Sequence, residues 1–447
     1  MYSDTDSLLA QHPAIETVEA LITDCNGAAR GKWLPIEKLP SLLSEGIKLP
    51  KSAIAQDIWG RDVPRIALDN GDIDGWCRAV PASLVPVLGP DGIDKAQVVL
   101  TMFKDDGGPL LSDPRQVLAR VVQRLTDRQL QPRVAIELEF NLFKKPAEGA
   151  SLRDALPAEN ETGGNLYGLS ALDEHEALLN TLKETFAVQG LPFEGVLKEA
   201  APAQYEINVA YSDDPLAYCD QIIRMQRSIR AVAERFGVTA SFMPKPMENQ
   251  AGNGMHVHCC LMTEDNENAF DSGDTEGTPL LKQAVAGCLG LMSDSHLIFA
   301  PSYNAYRRFQ AGNHAPTQPN WGYDNRTTAV RIPASPSHAT RIEHRVAGAD
   351  SNPYLAVAAL LAGIAIGIEG QLKPADPING NAWVEDEGNP CLPANMAEAI
   401  HRFSQSDAIS NMLSPAFQFA FSELKKQELL EFERRVTDFE LETYLAM

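Results

Sequence analysis

Carboxylates inside otherwise apolar segments restrict the fold of this chain more than any other feature. In the segment AIELEF, Glu137 and Glu139 alternate with Ile136, Leu138 and Phe140. Residues two apart on a β-strand point to the same face of the sheet. The pattern therefore predicts a strand with one apolar face and one acidic face. Because neighbouring carboxylates repel each other and unpaired burial is costly, the acidic face needs either solvent or a cation.

Three further segments place acids or histidines on similarly apolar backgrounds. Glu199 and Glu206 flank a Pro-containing bend in EAAPAQYEIN. In GMHVH, His256 and His258 share one strand face, and in RIEHR the acid Glu343 lies between two arginines. Carboxylates combined with an imidazole suit hard divalent cations such as Mg²⁺ or Mn²⁺ better than zinc or copper. The competing interpretation is a set of solvated strand faces with His258 as a structural residue.

Arginines concentrate in the second half of the sequence. The stretch from residue 307 to residue 345 contains Arg307, Arg308, Arg326, Arg331, Arg341 and Arg345. Arginine binds carboxylates and phosphates through paired hydrogen bonds, and carboxylates, a divalent metal and arginines together are typical of phosphoryl transfer. Salt bridges between domains are the alternative. The chain has neither a GxxxxGK[ST] loop nor a GxGxxG motif, so a nucleotide is expected to bind by other means.

The net charge excludes some classes of partner. With 38 Lys and Arg against 60 Asp and Glu, the chain has a formal charge of −22. An acid excess of this size repels nucleic acid and anionic membranes. The start, MYSDTDSLLAQHP, lacks the pattern of a secretory signal, and the apolar stretch from Tyr354 to Ile368 is too short to span a bilayer. We therefore expect a cytoplasmic protein that binds neither nucleic acid nor membrane.

The chain divides into two regions of different character. Residues 1–110 contain short apolar runs broken by Pro and Gly, which predicts a small β-rich domain. Asp113 and Pro114 then form a helix-start signal before RQVLARVVQRLTDRQ. Residues 111–447 mix predicted strands and helices, and end in a charged amphipathic segment. The predicted fold class is α+β.

Nine motifs in order resemble the glutamine synthetase family. They are GKW (Gly31 to Trp33), ELEF, KEAAPAQYEIN, KPMENQAGNGMHVH, SYNAYRRF, APTQPNWGYDNRT, VRIP, RIEHR and SNPYLA. The resemblance implies an N-terminal β-grasp domain over residues 1–110 and a catalytic α+β domain over residues 111–447. It also implies a homo-oligomeric ring, either a hexamer or a stacked dodecamer, with active sites between subunits.

The resemblance implies a role for each candidate residue. It implies ATP as co-substrate, with roughly two to three Mg²⁺ or Mn²⁺ ions per site. One metal would bind Glu139, Glu199 and Glu206, and another Glu137, His256 and Glu343. Glutamate would contact Gly252, Arg308 and Arg345, the transferred phosphoryl group would face Arg326 and Arg331, and the nucleotide would lie beside His258 and Arg341. The implied chemistry is phosphorylation of the glutamate γ-carboxylate by ATP, followed by attack of an amine nitrogen.

The sequence departs from glutamine synthetase at the ammonium pocket. Pro50 and His314 stand where that enzyme has an Asp and a Glu. A site that selects ammonium needs negatively charged acceptors, and their loss favours a substituted amine. The pattern resembles the γ-glutamyl-amine ligase subgroup, which includes the γ-glutamylputrescine and γ-glutamylpolyamine synthetases and serves amine catabolism. His314 is a candidate base for the amine proton, or a residue that only shapes the pocket.

Two other functions remain open at this level. The first is an ammonia-dependent glutamine synthetase, and the second is a catalytically silent family member with a structural or regulatory role. Every implied metal ligand is present, which counts against the second. Ala251 replaces an Asn on the implied glutamate loop and makes glutamate less secure as the acid substrate. The sequence does not identify the amine, which could be a polyamine or an alkyl or aromatic monoamine.

Overall fold

The fold is seen in a computed structural model that describes residues 4–69, 71–157, 165–309, 315–383 and 391–447. The strands are β1 (Thr17–Thr23), β2 (Ala29–Pro35), β3 (Ile47–Pro50), β4 (Asp74–Ala79), β5 (Val85–Gly89), β6 (Gly92–Phe103), β7 (Gln131–Lys144), β8 (Phe193–Lys198), β9 (Gln204–Ser212), β10 (Val238–Ser241), β11 (Met255–Met262), β12 (Trp321–Tyr323), β13 (Val330–Ile332) and β14 (Ile342–His344). The helices are α1 (Thr5–Gln11), α2 (Leu39–Ser44), α3 (Pro64–Ala67), α4 (Pro114–Thr126), α5 (Leu169–Asp173), α6 (Glu176–Val188), α7 (Pro215–Arg235), α8 (Pro279–Phe299), α9 (Pro353–Glu369), α10 (Met396–Gln405), α11 (Asp407–Met412), α12 (Pro415–Glu433) and α13 (Asp438–Tyr444).

The first six strands form one sheet with its own core. Its order is β2-β1-β6-β4-β3, with β5 added beside β6, and β1 runs parallel to β6. Val18, Ala20 and Ile22 of β1 are buried with Val98 and Leu100 of β6. The alternation of side chains along these strands places this apolar set on one face, as the short apolar runs of the sequence predict.

The second sheet contains the remaining eight strands and most of the predicted site. Its order is β12-β13-β14-β11-β7-β9-β8, and β10 pairs with the end of β7. Helices α4, α7, α8 and α9 pack on its apolar side in a shared core. The mixture of sheets and helices confirms the predicted α+β class.

Helix α9 forms the centre of that core. It is the apolar stretch of the sequence, and nearly all of its residues are buried. Glycines allow α9 to approach α8 closely, because a Cβ added at Gly367 would lie 1.9 Å from the carbonyl oxygen of Gln283. Within the described residues, no helix is both long enough and apolar enough to span a bilayer.

Helix α12, which precedes α13, connects the first sheet to the core of the second sheet. Lys425 and Glu428 form a buried ion pair at 2.8 Å. Glu428 also accepts hydrogen bonds from the side chain of Asn26 at 3.0 Å and from the backbone of Ile58 at 2.9 Å. Because a buried charge pair is stable only when its other polar atoms are satisfied, these contacts fix α12 to loops of the N-terminal region.

Candidate active site

Strand pairing places the predicted acids and histidines on one face of the second sheet. Glu139 on β7 lies opposite Glu206 on β9. On the other side of β7, Glu137 lies opposite His256 of β11, and His258 lies opposite Glu343 of β14. Side chains paired across antiparallel strands share a face. The two-residue spacing noted in the sequence therefore extends across four strands.

Gly254 lies where this acidic face meets an arginine. A Cβ at Gly254 would be 3.1 Å from Nε2 of His256, 3.3 Å from Oε1 of Glu139 and 3.4 Å from Nη2 of Arg308. Three predicted site residues from separate segments therefore converge around one glycine. A larger residue at this position would project into the site.

The bend between β8 and β9 carries Glu199 and is fixed by two residues that the sequence analysis did not select. Lys198 is buried, and its ammonium donates a hydrogen bond to the carbonyl oxygen of Ala201 at 2.6 Å. The side-chain nitrogen Nε2 of Gln204 donates hydrogen bonds to Oε2 of Glu139 and to the carbonyl oxygen of Gly252, both at 3.0 Å. Gln204 therefore joins the acidic face to the predicted glutamate loop.

Electrostatics around the first group of acids favour a bound cation. Burial, followed by repulsion from Glu137, Glu139 and Glu199, raises the pKa of Glu206 to about 9. Burial and the nearby Glu199 raise the pKa of Glu139 to about 7, and burial is also the main cause of the raised pKa of Glu199. A divalent cation among these oxygens would relieve both the repulsion and the burial cost. The donor set fits Mg²⁺ or Mn²⁺.

The second group surrounds Glu137. Glu137, His258 and Glu343 each place a ligand atom within 4.8 Å of the others. His256, which the resemblance assigns to this metal, contacts Oε2 of Glu137 through Nδ1 at 2.9 Å and lies 3.9 Å from Oε1 of Glu343. Burial acts to raise the pKa of Glu137, but the hydrogen bonds with His256 and His258 outweigh it and lower this pKa below its ordinary range. Both imidazoles are thus close enough to be considered as ligands.

Two predicted glutamate-binding residues are in contact. Arg308 is buried and donates to the carbonyl oxygen of Val346 at 3.1 Å. A Cβ at Gly252 would lie 2.3 Å from the carbonyl oxygen of Pro244 and 2.7 Å from Cγ of Arg308, so only glycine fits between them. Arg345, the third member of this set, instead forms an ion pair with Glu343.

The two arginines predicted to face the phosphoryl group line one cavity. This cavity, of about 550 Å³, is bordered by Arg326, Arg331, Asp324, Asn325, Asn379 and others. Arg326 is exposed to it, whereas the side chain of Arg331 is held between two carboxylates. The cavity therefore presents Arg326 to an anionic group, whereas the charge of Arg331 is shared with Glu343 and Asp324.

The remaining predicted residues lie in three different parts of the chain. Arg341 donates from Nε to Nδ1 of His258 at 3.3 Å, so these two nucleotide-side candidates lie together. Pro50 ends β3 opposite Asp74 of β4, in the N-terminal sheet. His314 lies outside the described residues.

Asp324 is a third residue that the sequence analysis missed. It lies two residues before Arg326 and accepts a hydrogen bond from Arg331. Gln204 could have been found, because it precedes Glu206 by two residues on the same strand and so shares its face. Lys198 and Asp324 lie beside a bend and in a loop, where no periodic pattern indicates the direction of a side chain.

Comparison with known proteins gives consistent matches along the whole chain. A family model described as the glutamine synthetase catalytic domain matches residues 111–444. The chain is 39% identical over 444 residues to the γ-glutamylputrescine synthetase PuuA of Escherichia coli, with 98% of this chain and 93% of that protein covered. It is 32% identical over 434 residues to a γ-glutamylethanolamide synthetase of Streptomyces coelicolor, covering 96% and 92%. A solved structure titled as a GmaS/ADP complex superposes with a TM-score of 0.87 at 26% identity and covers all of both chains.

Proposed function

Because the chain belongs to the glutamine synthetase family, we propose that it is an ATP-dependent ligase that joins the γ-carboxylate of glutamate to a primary amine. The observation that carries the choice of amine over ammonia is the residue at position 50. Pro50 offers no carboxylate where the family's ammonium pocket has one. The names of the two curated relatives, which contain putrescine and ethanolamide, agree with this choice.

The reaction would proceed in two transfers. A γ-carboxylate oxygen of glutamate attacks the γ-phosphorus of ATP, the bond to the bridging oxygen breaks, and ADP leaves. The amine nitrogen then attacks the carbonyl carbon of γ-glutamyl phosphate, phosphate leaves, and the nitrogen loses a proton. A primary amine has a pKa of about 10.4 and arrives protonated, so a second proton must also be removed. His314 remains our candidate acceptor for a proton.

Each group of residues would have a distinct task. Arg308 and Arg345 would bind glutamate on the loop of Gly252, whereas Arg326 and Arg331 would stabilise charge on the transferred phosphoryl group. His258 and Arg341 would hold the nucleotide side. Divalent ions bound to the acidic face would neutralise phosphate charge and polarise the reacting oxygens.

The two metal groups would share strand β7 and lie on opposite sides of it. Glu139, Glu199 and Glu206 would hold the metal on the amino-acid side. Glu137 and Glu343 would hold the nucleotide-side metal together with one histidine. The resemblance favours His256 for that place, and the spacing of ligand atoms favours His258.

The proposal extends to assembly and location. We propose a homo-oligomeric ring, either a hexamer or a stacked dodecamer, that has its active sites between subunits and works in the cytoplasm. Residues 1–110 would form the β-grasp domain and residues 111–447 the catalytic domain. The match of the family model to residues 111–444 supports this boundary.

Phosphate release with a panel of amines tests the function. Purified protein with glutamate, ATP and Mg²⁺ would be supplied with putrescine, ethanolamine, isopropylamine, an aromatic amine or ammonium. We expect at least one primary amine to give a kcat/KM well above that of ammonium. Equal or faster turnover with ammonium would instead indicate a glutamine synthetase. No release with any acceptor, from protein that binds Mn²⁺ and ATP, would favour a silent family member.

A further inference from the structure

Arg331 is held between an inner and an outer carboxylate. Its Nη1 donates to Oε2 of Glu343 at 2.8 Å, and its Nη2 donates to Oδ1 of Asp324 at 2.6 Å. Glu343 is buried, whereas the side chain of Asp324 is 57% exposed. Arg331 therefore divides its hydrogen bonds between a proposed metal ligand and an acid that has no role in the function proposed above.

Asp324 adds a carboxylate to the charges around Arg331 and Glu343. Glu343 accepts hydrogen bonds from both Arg331 and Arg345, so one carboxylate faces two guanidinium groups. Asp324 lies on the outer side of Arg331, whereas Glu137 lies with Glu343 in the group of candidate metal ligands. Without Asp324, the positive charge of Arg331 would be less neutralised beside the position of a divalent cation, and like charges in a buried site are weakly screened.

The backbone holds Asp324 firmly in place. Its φ of +43° lies in the left-handed region, where Asp and Asn are favoured over other non-glycine residues. Its backbone N–H donates to the carbonyl oxygen of Ile332 at 2.8 Å. The next residue, Asn325, anchors the loop by donating to the carbonyl oxygens of Ile378 and Gly380. The carboxylate of Asp324 is therefore held in place by a hydrogen-bonded loop.

We propose that Asp324 is a positioning residue that restricts Arg331 to Oε2 of Glu343, so that Oε1, which accepts from Arg345 and lies 3.9 Å from Nδ1 of His256, keeps a lone pair for the divalent cation. Arg331 could otherwise pair with both oxygens of Glu343, as planar guanidinium groups commonly do with carboxylates. The same contact keeps the guanidinium facing the cavity it shares with Arg326. This inference rests on the metal role proposed for Glu343.

Mn²⁺ binding to the nucleotide-free protein tests the inference without relying on turnover. In Asp324→Asn, the amide has the shape of the carboxylate and tolerates the left-handed backbone, but the charge is lost. We expect about tenfold weaker binding at the class of Mn²⁺ sites that Glu343→Gln removes, measured by electron paramagnetic resonance, since outer partners of metal ligands commonly contribute this much. Asp265→Asn is the matched control, because Asp265 is exposed and lies in the turn that follows the end of β11 at Met262.

The outcomes distinguish the positioning role of Asp324 from the metal role of Glu343. Unchanged Mn²⁺ affinity in Asp324→Asn, with sites lost in Glu343→Gln, would overturn the positioning role and leave the proposed function intact. Unchanged binding in Glu343→Gln would overturn the metal assignment itself. An equal loss in Asp265→Asn would also overturn the inference, because it would reflect net charge alone. Thermal melting of each variant checks that the fold is retained.

Discussion

Glu139 and Glu206 face each other across β7 and β9, and their pairing makes the stability of the metal-free protein depend on pH. Their pKa values of about 7 and about 9 lie above that of a carboxyl in the unfolded chain. From the pKa of an unfolded carboxyl up to about pH 9, the folded state binds more protons than the unfolded state. The free energy of unfolding therefore falls as pH rises through this interval. The cost of ionisation is complete only above the pKa of Glu206 in the folded protein.

We therefore expect the melting temperature in EDTA to fall between about pH 6 and about pH 9. Added Mg²⁺ should raise it more at the higher pH, because the cation binds the ionised acids. The variant with both Glu139→Gln and Glu206→Gln should lose most of the pH dependence and most of the response to Mg²⁺. A metal-free protein whose melting temperature rises over this interval would contradict the electrostatic argument. Differential scanning calorimetry supplies the measurement.

Single substitutions can decide whether His256 or His258 is the metal ligand. Both contact Glu137, at 2.9 Å and 3.0 Å. If His256 is the ligand, His256→Ala should weaken Mn²⁺ binding by about tenfold or more, whereas His258→Ala should mainly raise the KM for ATP. The reverse pattern would assign the metal to His258. The same loss in both variants would contradict a division of roles.

The sequence could identify most of the acidic face because the chemistry there repeats every second residue. Glu137 and Glu139 follow from strand periodicity, Glu206 from its place beside a Pro-containing bend, and Glu343 from its place between arginines. Asp324 could not be found in this way, since its contact with Arg331 depends on a left-handed residue in a loop. The fit of Gly252 against Arg308 likewise depends on segments that meet only in the folded chain.

At the scale of elements, local signals predicted single helices and strands better than their pairing. Asp113 caps α4 and Pro114 opens it, as the sequence indicates. The three-residue strands β12, β13 and β14 are too short to show an alternation, yet they complete one edge of the second sheet. Their order depends on contacts between residues far apart in the chain, which no local pattern contains.

The close contact of α8 and α9 provides a stability test. Gly367→Ala would place a Cβ 1.9 Å from the carbonyl oxygen of Gln283, where only backbone movement can relieve the overlap. We expect the free energy of unfolding to fall by about 3 kcal/mol or more, which chemical denaturation would measure. The matched control is Gly290→Ala on α8, where a Cβ meets no atom within 4 Å.

The control should have the opposite sign. Alanine has a higher helix propensity than glycine, so Gly290→Ala should stabilise the protein by about 0.5–1 kcal/mol. Similar stabilities for the two variants would show that the helices can separate without cost. A loss of stability only in Gly367→Ala would show that the close contact between α8 and α9 stabilises the fold.

At the scale of the whole molecule, the C-terminal segment presents an unusual surface. Helix α13 has no buried residue in the isolated chain. Val436, Phe439, Tyr444 and Leu445 are each more than 60% exposed. Contiguous exposed apolar side chains are typical of interaction sites. A ring assembly would give these side chains a place to be buried against another copy.

Removal of residues 436–447 should therefore reduce the mass of the assembly, as measured by light scattering after size-exclusion chromatography. The protomer should remain folded, because the deleted residues contribute nothing to its core. Phe439→Ser combined with Leu445→Ser should have the same effect with the chain length unchanged. An unchanged mass for both variants would show that the segment takes no part in assembly.

The contacts between α12 and the N-terminal loops also limit when the protein can finish folding during synthesis. Domains commonly fold as the ribosome releases them, beginning at the N-terminus. The ammonium of Lys425 and the carboxylate of Glu428 contact Asn26, which leaves the ribosome some four hundred residues earlier. The first sheet can form early, but Asn26 and the loop around Ile58 must wait for nearly the last helix. A nascent chain therefore lacks these α12 contacts until translation is almost finished, whereas the ion pair between Arg227 of α7 and Glu19 of β1 can form earlier.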